Sequence, residues 1–350
     1  MVLQLGLDCV LVHAKIVRFS GNPGLAADRY KIDFIMTRQI TIIGATGIQG
    51  GSVIRALVKD PAYSLTAITR NSQSEAAKKL ALQGVRIVEA NLDDIAALQA
   101  AFSGTSVIFA ATNFFEPFIM YDAEQAIEIE TRHGINIAIA AAVTPTLEHL
   151  VWSTLPNTSR ISGGKFAIPH YVSKNRVNDF IKSDPVLLPK TTFLWVSVYA
   201  SNMNYPFYRP FPIPTAGEKK YIQLQPTPAS VQFPLVGDAT VNVGVFTRAI
   251  IEQSHKTLGG KFVYAMTDVM TAGEMLATWA EVHGVEAEYV QVDKETYYSL
   301  WPKWGKAMDR MHEYVEWAKE KSFSGEDVIL TKEDLGITGL KDTRAAYAEM

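Results

Sequence analysis

The sequence predicts an α/β protein: a doubly wound parallel sheet of the Rossmann type, followed by a smaller C-terminal α+β region. Three observations predict it. From Gln39 onward, short apolar runs rich in β-branched residues alternate with longer stretches of helical period. These runs are nearly continuous in apolar residues, as strands buried on both faces must be. The first run flows into Gly44-Ala45-Thr46-Gly47-Ile48-Gln49-Gly50, which puts three glycines where a strand ends and a helix begins. Right-handed crossovers between such strands yield a doubly wound sheet.

In chain order, strands are expected at 39–43, 64–69, 85–89, 106–111, 148–153 and 191–198. Helices are expected at 48–59, 73–83, 94–102, 119–142 and 169–182. Beyond about residue 200 the texture changes: "NYPFYRPFPIPTAGEKKYIQLQPTPAS" is rich in proline and aromatics and suits loops and hairpins. A helix at 238–253, with Asp238 as its N-cap, and a strand at 261–265 follow. In "TAGEMLATWAEVHG", Thr271 caps a helix, Glu274 stands three residues later as in a capping box, and Gly284 follows the end. A second amphipathic stretch runs from Lys306 to Lys321. The expected division is an N-terminal extension at 1–38, dispensable or disordered, a dinucleotide-binding domain at 39–200, and a smaller substrate or partner domain at 201–350. Segments such as 238–265 are free to return to the first domain.

Composition narrows the function. The 350 residues are 48% hydrophobic and 20% charged, as in an ordinary soluble globular protein. A formal net charge of -3 gives no basic excess for direct binding of nucleic acid. The single cysteine, Cys9, excludes an intramolecular disulfide and a CxxC metal site. It fits a reducing compartment, so a cytoplasmic protein is expected, with the nucleus as a second location. Seven histidines without HxH or HExxH spacing point to no metal. No apolar run reaches the ~18 residues of a membrane span. The leader begins apolar but lacks a basic n-region, and a chain starting at Met36 retains the whole inferred fold.

Gly44 allows the tight turn after the first strand, Gly47 keeps a side chain away from an approaching pyrophosphate, and Gly50 lets helix and strand pack closely. The helix start adds free N–H groups and a positive dipole end. At the end of the second strand, where a carboxylate holds the ribose of NAD, the chain carries Arg70 and Asn71. A guanidinium suits a 2′-phosphate, so NADP is the expected cofactor. Asn91 and Leu92, with Asp93, end the third strand beside the adenine. Thr112, Asn113 and Phe114 end the fourth near the nicotinamide ribose.

The strings "ITIIGATGIQGGSV", "ITRN", "ATNFFE", "VWST" and "PHYVSKNRVNDFI" together resemble the NmrA-like family. This is an atypical branch of the short-chain dehydrogenases/reductases, related to isoflavone-reductase-like enzymes. The resemblance covers roughly 39–265 well and the C-terminal third more loosely, and the leader has no counterpart in it. It implies that Gly44, Ala45, Thr46, Gly47, Ile48, Gln49 and Gly50 hold the pyrophosphate, and Arg70 and Asn71 the 2′-phosphate. It further implies Asn91 and Leu92 at the adenine, Thr112 and Asn113 near the ribose, and Lys174 on the nicotinamide ribose. The same resemblance implies that Tyr199, Ala200, Ser201 and Asn202 close over the nicotinamide.

Classical reductases of this superfamily place Tyr-x-x-x-Lys on one helix face. Here the residue four before Lys174 is His170, and Tyr171 stands three before it. Two readings stay open. One is an NADP-dependent oxidoreductase that reduces a small apolar or aromatic carbonyl or enone, with Lys174 as acid/base and His170 or Tyr171 assisting. The other is a non-catalytic NADP redox sensor that regulates a partner protein such as a transcription factor. Phe114, Phe115, Trp152, Tyr199, Tyr205, Phe207 and Tyr208 are candidates to line an apolar substrate pocket, although aromatics beside Pro-rich turns more often serve as packing.

Overall fold

The computed structural model describes the backbone of residues 4–7, 10–19 and 29–350, and side chains from residue 37 onward. Cys9 lies outside the described residues. Eight strands form the main sheet: β1 Arg38–Ile43, β2 Tyr63–Thr69, β3 Arg86–Glu89, β4 Val107–Ala110, β5 His149–Thr154, β6 Thr191–Val196, β7 Lys261–Ala265 and β8 Ile329–Leu330. Their order is β3-β2-β1-β4-β5-β6-β7-β8, and every neighbouring pair is parallel. The order reverses between β1 and β4, so a crevice opens outside their carboxyl ends.

Side-chain alternation along the strands feeds two cores. Ile40 and Ile42 join α1 (Ile48–Leu57) and α7 (Ala239–Glu252) through Val53, Leu57, Phe246 and Ile250. Ile43, Ile108 and Trp152 face the opposite layer, where α3 (Ile95–Ala101), α5 (Ala123–Ala142) and α6 (Pro169–Ser183) contribute Leu98, Ile137 and Val177. Burial on both faces is what the near-continuous apolar runs require.

The structure departs from expectation at several joints. The long helix expected at 119–142 is two helices, α4 (Phe115–Met120) and α5, because Tyr121 is extended and Asp122 caps α5 through Gln125 N at 2.8 Å. The strand expected at 191–198 ends at Val196. Val198–Tyr199 instead pairs with Gln232–Gly237, which also pairs with Asp268–Thr271. A further sheet joins Phe211–Pro212, Lys220–Gln225 and Glu286–Gln291. These small sheets continue from the carboxyl ends of β6 and β7. With α8 (Ala272–His283) and α9 (Trp304–Ala318) they form much of the chain after residue 197 that does not return to the main sheet as α7, β7 and β8 do. The capping box of Thr271 and Glu274 and the left-handed Gly284 bound α8 as expected. Gln4–Leu7, Val10–Phe19 and Arg29–Met36 make a separate antiparallel sheet. Among the described residues no helix is long and apolar enough to cross a membrane.

The turn into α1 is a close backbone contact. Gly44 has φ +74°, and a Cβ on Gly50 would stand 2.6 Å from Gly44 C and 2.7 Å from Ala45 Cα. Neither neighbour is a side chain that could swing away. Gly50→Ala is therefore expected to lower stability by about 1–3 kcal/mol, as overpacking does. A shift of the urea midpoint at constant slope reads this; an unchanged midpoint contradicts the close contact.

Candidate functional site

The crevice floor is the glycine turn. Gly47 N donates to Gly44 O at 3.0 Å, which closes the turn. Thr46, Gly47 and Ile48 are exposed at its tip, while Ala45 and Gly50 are buried beneath. Gly47 is the N-cap of α1, no side chain caps it, and the first turn holds no acidic residue. The first amides of the helix have no intrahelical partner and face a positive dipole end, which favours an anion. Gln49 braces this floor: its Nε2 donates to Tyr199 Oη at 2.6 Å and its Oε1 accepts from Ser153 Oγ at 2.6 Å. One side chain thus joins the turn, the end of β5 and the segment after β6. Burial raises the Tyr199 phenol to about 12. Ala200, Ser201 and Asn202 follow on a short 3-10 helix, with Ala200 buried.

The ends of β2, β3 and β4 share one device. Asn71 Oδ1 accepts from Gln73 N at 2.9 Å, Asn91 Oδ1 from Asp93 N at 3.1 Å, and Asn113 Oδ1 from Phe115 N at 3.0 Å. Each asparagine thereby fixes its own loop by a local turn. Leu92 O accepts from Asn136 Nδ2 at 2.8 Å, tying the third loop to α5. Ser72 donates from its amide and its hydroxyl to Glu89, which holds that carboxyl below its usual range. Arg70 is exposed and paired: Nη1 and Nη2 reach the two carboxylate oxygens of Glu116 at 2.7 and 3.0 Å.

Lys174 belongs to a buried polar cluster. α5 and α6 approach closely because a Cβ on Gly134 would stand 2.5 Å from Val177 Cγ2. One turn earlier on both helices, Glu130 meets Ser173 and Lys174. Lys174 Nζ donates to Glu130 Oε1 at 3.0 Å, to Thr112 Oγ1 at 3.1 Å and to Thr112 O at 3.3 Å. Thr112 Oγ1 donates to Glu130 Oε1 at 2.7 Å, and Ser173 Oγ donates to Glu130 Oε2. The Glu130 side chain is 1% exposed and that of Lys174 11%. An ammonium has three N–H donors, so each has a protein acceptor here.

The other two residues of the expected relay part company. His170 is buried against Phe114 and Phe115, with ring centroids 5.9 and 5.2 Å away. Burial, and then the charge of Lys174, lower its imidazole to about 3, and its Nδ1 has no hydrogen-bond partner among the described residues. Tyr171 packs towards Met311, Tyr314 and Val315 of α9, and burial alone raises its phenol. Glu130 escaped the sequence reading. Its signal was present: with Ala126, Gly134 and Ala138 it lies at four-residue spacing on the buried stripe of α5. A carboxylate on such a stripe needs a buried counter-charge.

A small pocket lies beyond the end of β6, walled by Val198, Asn202, Met203, Phe233, Met275 and Met311 among others. Of the seven candidate aromatics, Tyr208 alone lines it, and the commoner role of packing holds for the others described below. Phe115 and Phe207 instead pack on Trp304 of α9 at 5.6 and 5.4 Å, Phe114 packs with Phe118, and Tyr205 stacks on Phe207. Trp152 is buried in the sheet, with Nε1 donating to Asn178 Oδ1 at 2.9 Å. The aromatics fill core where α9 covers the loops, and flexible methionines line the space left over. Gln225 and His312 also line the cavity, and Gln225 Oε1 and His312 Nδ1 have no hydrogen-bond partner among the described residues.

Two stability outcomes follow from these burials. Glu130→Ala strands the Lys174 charge and is expected to cost about 3–5 kcal/mol, whereas the double replacement of Glu130 and Lys174 by methionine recovers much of it. Denaturant titration of the three proteins checks this. Burial lowers His149, His170 and His312 to about 3. Unfolding below pH ~6.5 therefore takes up protons, so stability is fully present above that pH and lost as pH falls towards 3. His170→Gln should flatten the slope of stability between pH 6 and 4 by about 1.4 kcal/mol per pH unit, one proton's worth. An unaltered slope contradicts a neutral buried His170.

The sequence profile of the NmrA-like family matches residues 36–339. The NmrA-like family domain-containing oxidoreductase notA' of Aspergillus versicolor is 38% identical over 146 residues, 42% of this chain. That segment spans only 40% of the relative's own length. Among solved structures, NmrA, a negative transcriptional regulator in complex with NADP, superposes with a TM-score of 0.70 at 19% identity, over 90% of this chain and 95% of its own. The NADPH-dependent quinone oxidoreductase QOR2 of Escherichia coli, complexed with NADPH, gives 0.63 at 17% identity, over 89% of this chain and 99% of its own. At such identities the superpositions speak for a shared fold. With the profile spanning most of its length, the chain belongs to the NmrA-like family.

Proposed function

We propose that this protein is an NADP(H)-dependent reductase of a small apolar or aromatic carbonyl, enone or quinone, with Lys174 supplying the proton. The observation that carries the reading is the adjacency of two sites. Tyr199 is bonded through Gln49 to the glycine turn, while Val198 and Asn202 on either side of it line the apolar cavity. An anion cradle and an apolar pocket thus lie within a few residues of each other, as a dinucleotide and its substrate require.

The residues fit such a cofactor. The turn at 44–50 leaves uncapped amides for a pyrophosphate. Arg70 already holds a two-oxygen anion with both terminal nitrogens, the hand a 2′-phosphate needs, with Asn71 beside it. Asn91 and Leu92 would flank the adenine, Thr112, Asn113 and Lys174 would hold the nicotinamide ribose, and Tyr199, Ala200, Ser201 and Asn202 would cover the ring. The solved NmrA and QOR2 relatives were crystallised with NADP and NADPH, which supports the same choice here. The reduced cofactor, when bound, supplies a hydride to the substrate carbon. Lys174 gives a proton to the substrate oxygen and regains one from solvent, Thr112 and Glu130 hold its Nζ in place, and the cavity walls exclude water.

A second reading is favoured by one observation: every N–H donor of Lys174 already has a protein acceptor. On that reading the cluster is structural, and the protein is an NADP sensor acting on a partner such as a transcription factor.

The test is NADPH oxidation with a panel of quinones, enones and aromatic ketones, comparing the wild type with Lys174→Ala. The reductase reading expects turnover that falls by about 10²-fold or more in the variant, with NADPH still bound. Tight NADPH binding without turnover on any acceptor overturns it in favour of the sensor. Deleting residues 1–35 is expected to leave NADPH affinity unchanged.

A further inference from the structure

Arg70 is the first residue after β2, and Glu116 lies six residues beyond the end of β4. β1 runs between those strands, with Ile43 paired to Ile68 on one side and Ala110 on the other. The Arg70–Glu116 pair therefore crosses above the carboxyl end of β1, over the glycine turn. Both carboxylate oxygens and both terminal guanidinium nitrogens take part.

We propose that Glu116 is a built-in competitor for the 2′-phosphate and so tunes the preference between NADP(H) and NAD(H). The inference rests on the reading of Arg70 given above. Carboxylate and phosphate use the same two-pronged geometry, so the terminal edge of one guanidinium serves one of them at a time. A phosphate on the remaining Nε edge would sit beside the Glu116 charge and be repelled by it. A 2′-hydroxyl carries no charge, so it leaves the Arg70–Glu116 pair in place. NADP(H) binding thus breaks a bond that NAD(H) binding keeps. The native preference for the phosphorylated coenzyme is smaller than Arg70 alone would confer.

The position of Glu116 is fixed from elsewhere, so it returns when the phosphate leaves. α4 is held by Phe115 and Phe118 against Trp304, with ring centroids at 5.6 and 5.1 Å, and by Lys303 Nζ donating to Ile119 O at 2.7 Å. The pair itself is solvent-screened, since the side chains of Arg70 and Glu116 are 68% and 46% exposed. Its competition is accordingly modest, about two- to fivefold in affinity.

Dissociation constants of the full chain for NADPH and NADH test this with Glu116→Gln and Arg70→Ala. Glu116→Gln is expected to tighten NADPH about two- to fivefold and leave NADH unchanged, while Arg70→Ala weakens NADPH about tenfold or more. If Arg70→Ala weakens NADPH but Glu116→Gln leaves it unchanged or weakens it, the competition is refuted and the Arg70 reading stands. Equal tightening of both coenzymes by Glu116→Gln makes the carboxylate a general bar to entry and also refutes it. If Arg70→Ala leaves NADPH affinity intact, the Arg70 reading fails and takes the competition with it.

Discussion

A carboxylate buried at 1% exposure cannot stand alone, and the need to neutralise Glu130 organises the crevice. Two elements answer it: α6 supplies the Lys174 ammonium and the Ser173 hydroxyl, and the end of β4 supplies Thr112. The close approach of α5 and α6 at Gly134 makes the reach possible. Lys174 is thereby held at the mouth of β4 rather than left on a flexible stem. Whether it then moves a proton or only anchors a sugar, its place is set by the carboxylate beneath it.

The other side of the crevice works differently. At the glycine turn the groups on offer are backbone amides, fixed by the helix and needing no side-chain ordering. Around them the loops after β2, β3 and β4 are each stiffened by an asparagine bonding its own chain two residues on. Gln49 ties the turn to Ser153 and Tyr199. The crevice is therefore largely preorganised, and the exposed Arg70–Glu116 pair is an exchangeable element at its rim.

The main sheet was legible because buried parallel strands must be apolar on both faces, and that pattern is strong in β1, β2 and β4 to β7, though not in the edge strand β3. Spacing places Lys174 on a helix with His170 and Tyr171, and strand patterning places Arg70 at the end of β2, where the structure has them; their part in binding a coenzyme belongs to the proposal. What escaped needed tertiary context. The break at Tyr121 carries neither glycine nor proline, only the weak capping signal of Asp122. Glu286–Gln291 alternates charged and apolar residues on a half-exposed edge, and β8 has two residues, too few for any period to show. Glu130 looked like one more charge in "AIEIETRHG" until α6 was seen beside it. Which of the candidate aromatics pack and which line a pocket was not legible, because nothing local says that α9 lies over them.

The most direct measurement is a crystal structure of the protein with NADPH. The account predicts the diphosphate on the amides of residues 48–50, the 2′-phosphate on the guanidinium of Arg70 with Glu116 turned away, and the nicotinamide ribose on Lys174. A coenzyme lodged outside the β1–β4 crevice, or a 2′-phosphate in solvent with Arg70 still on Glu116, would contradict it.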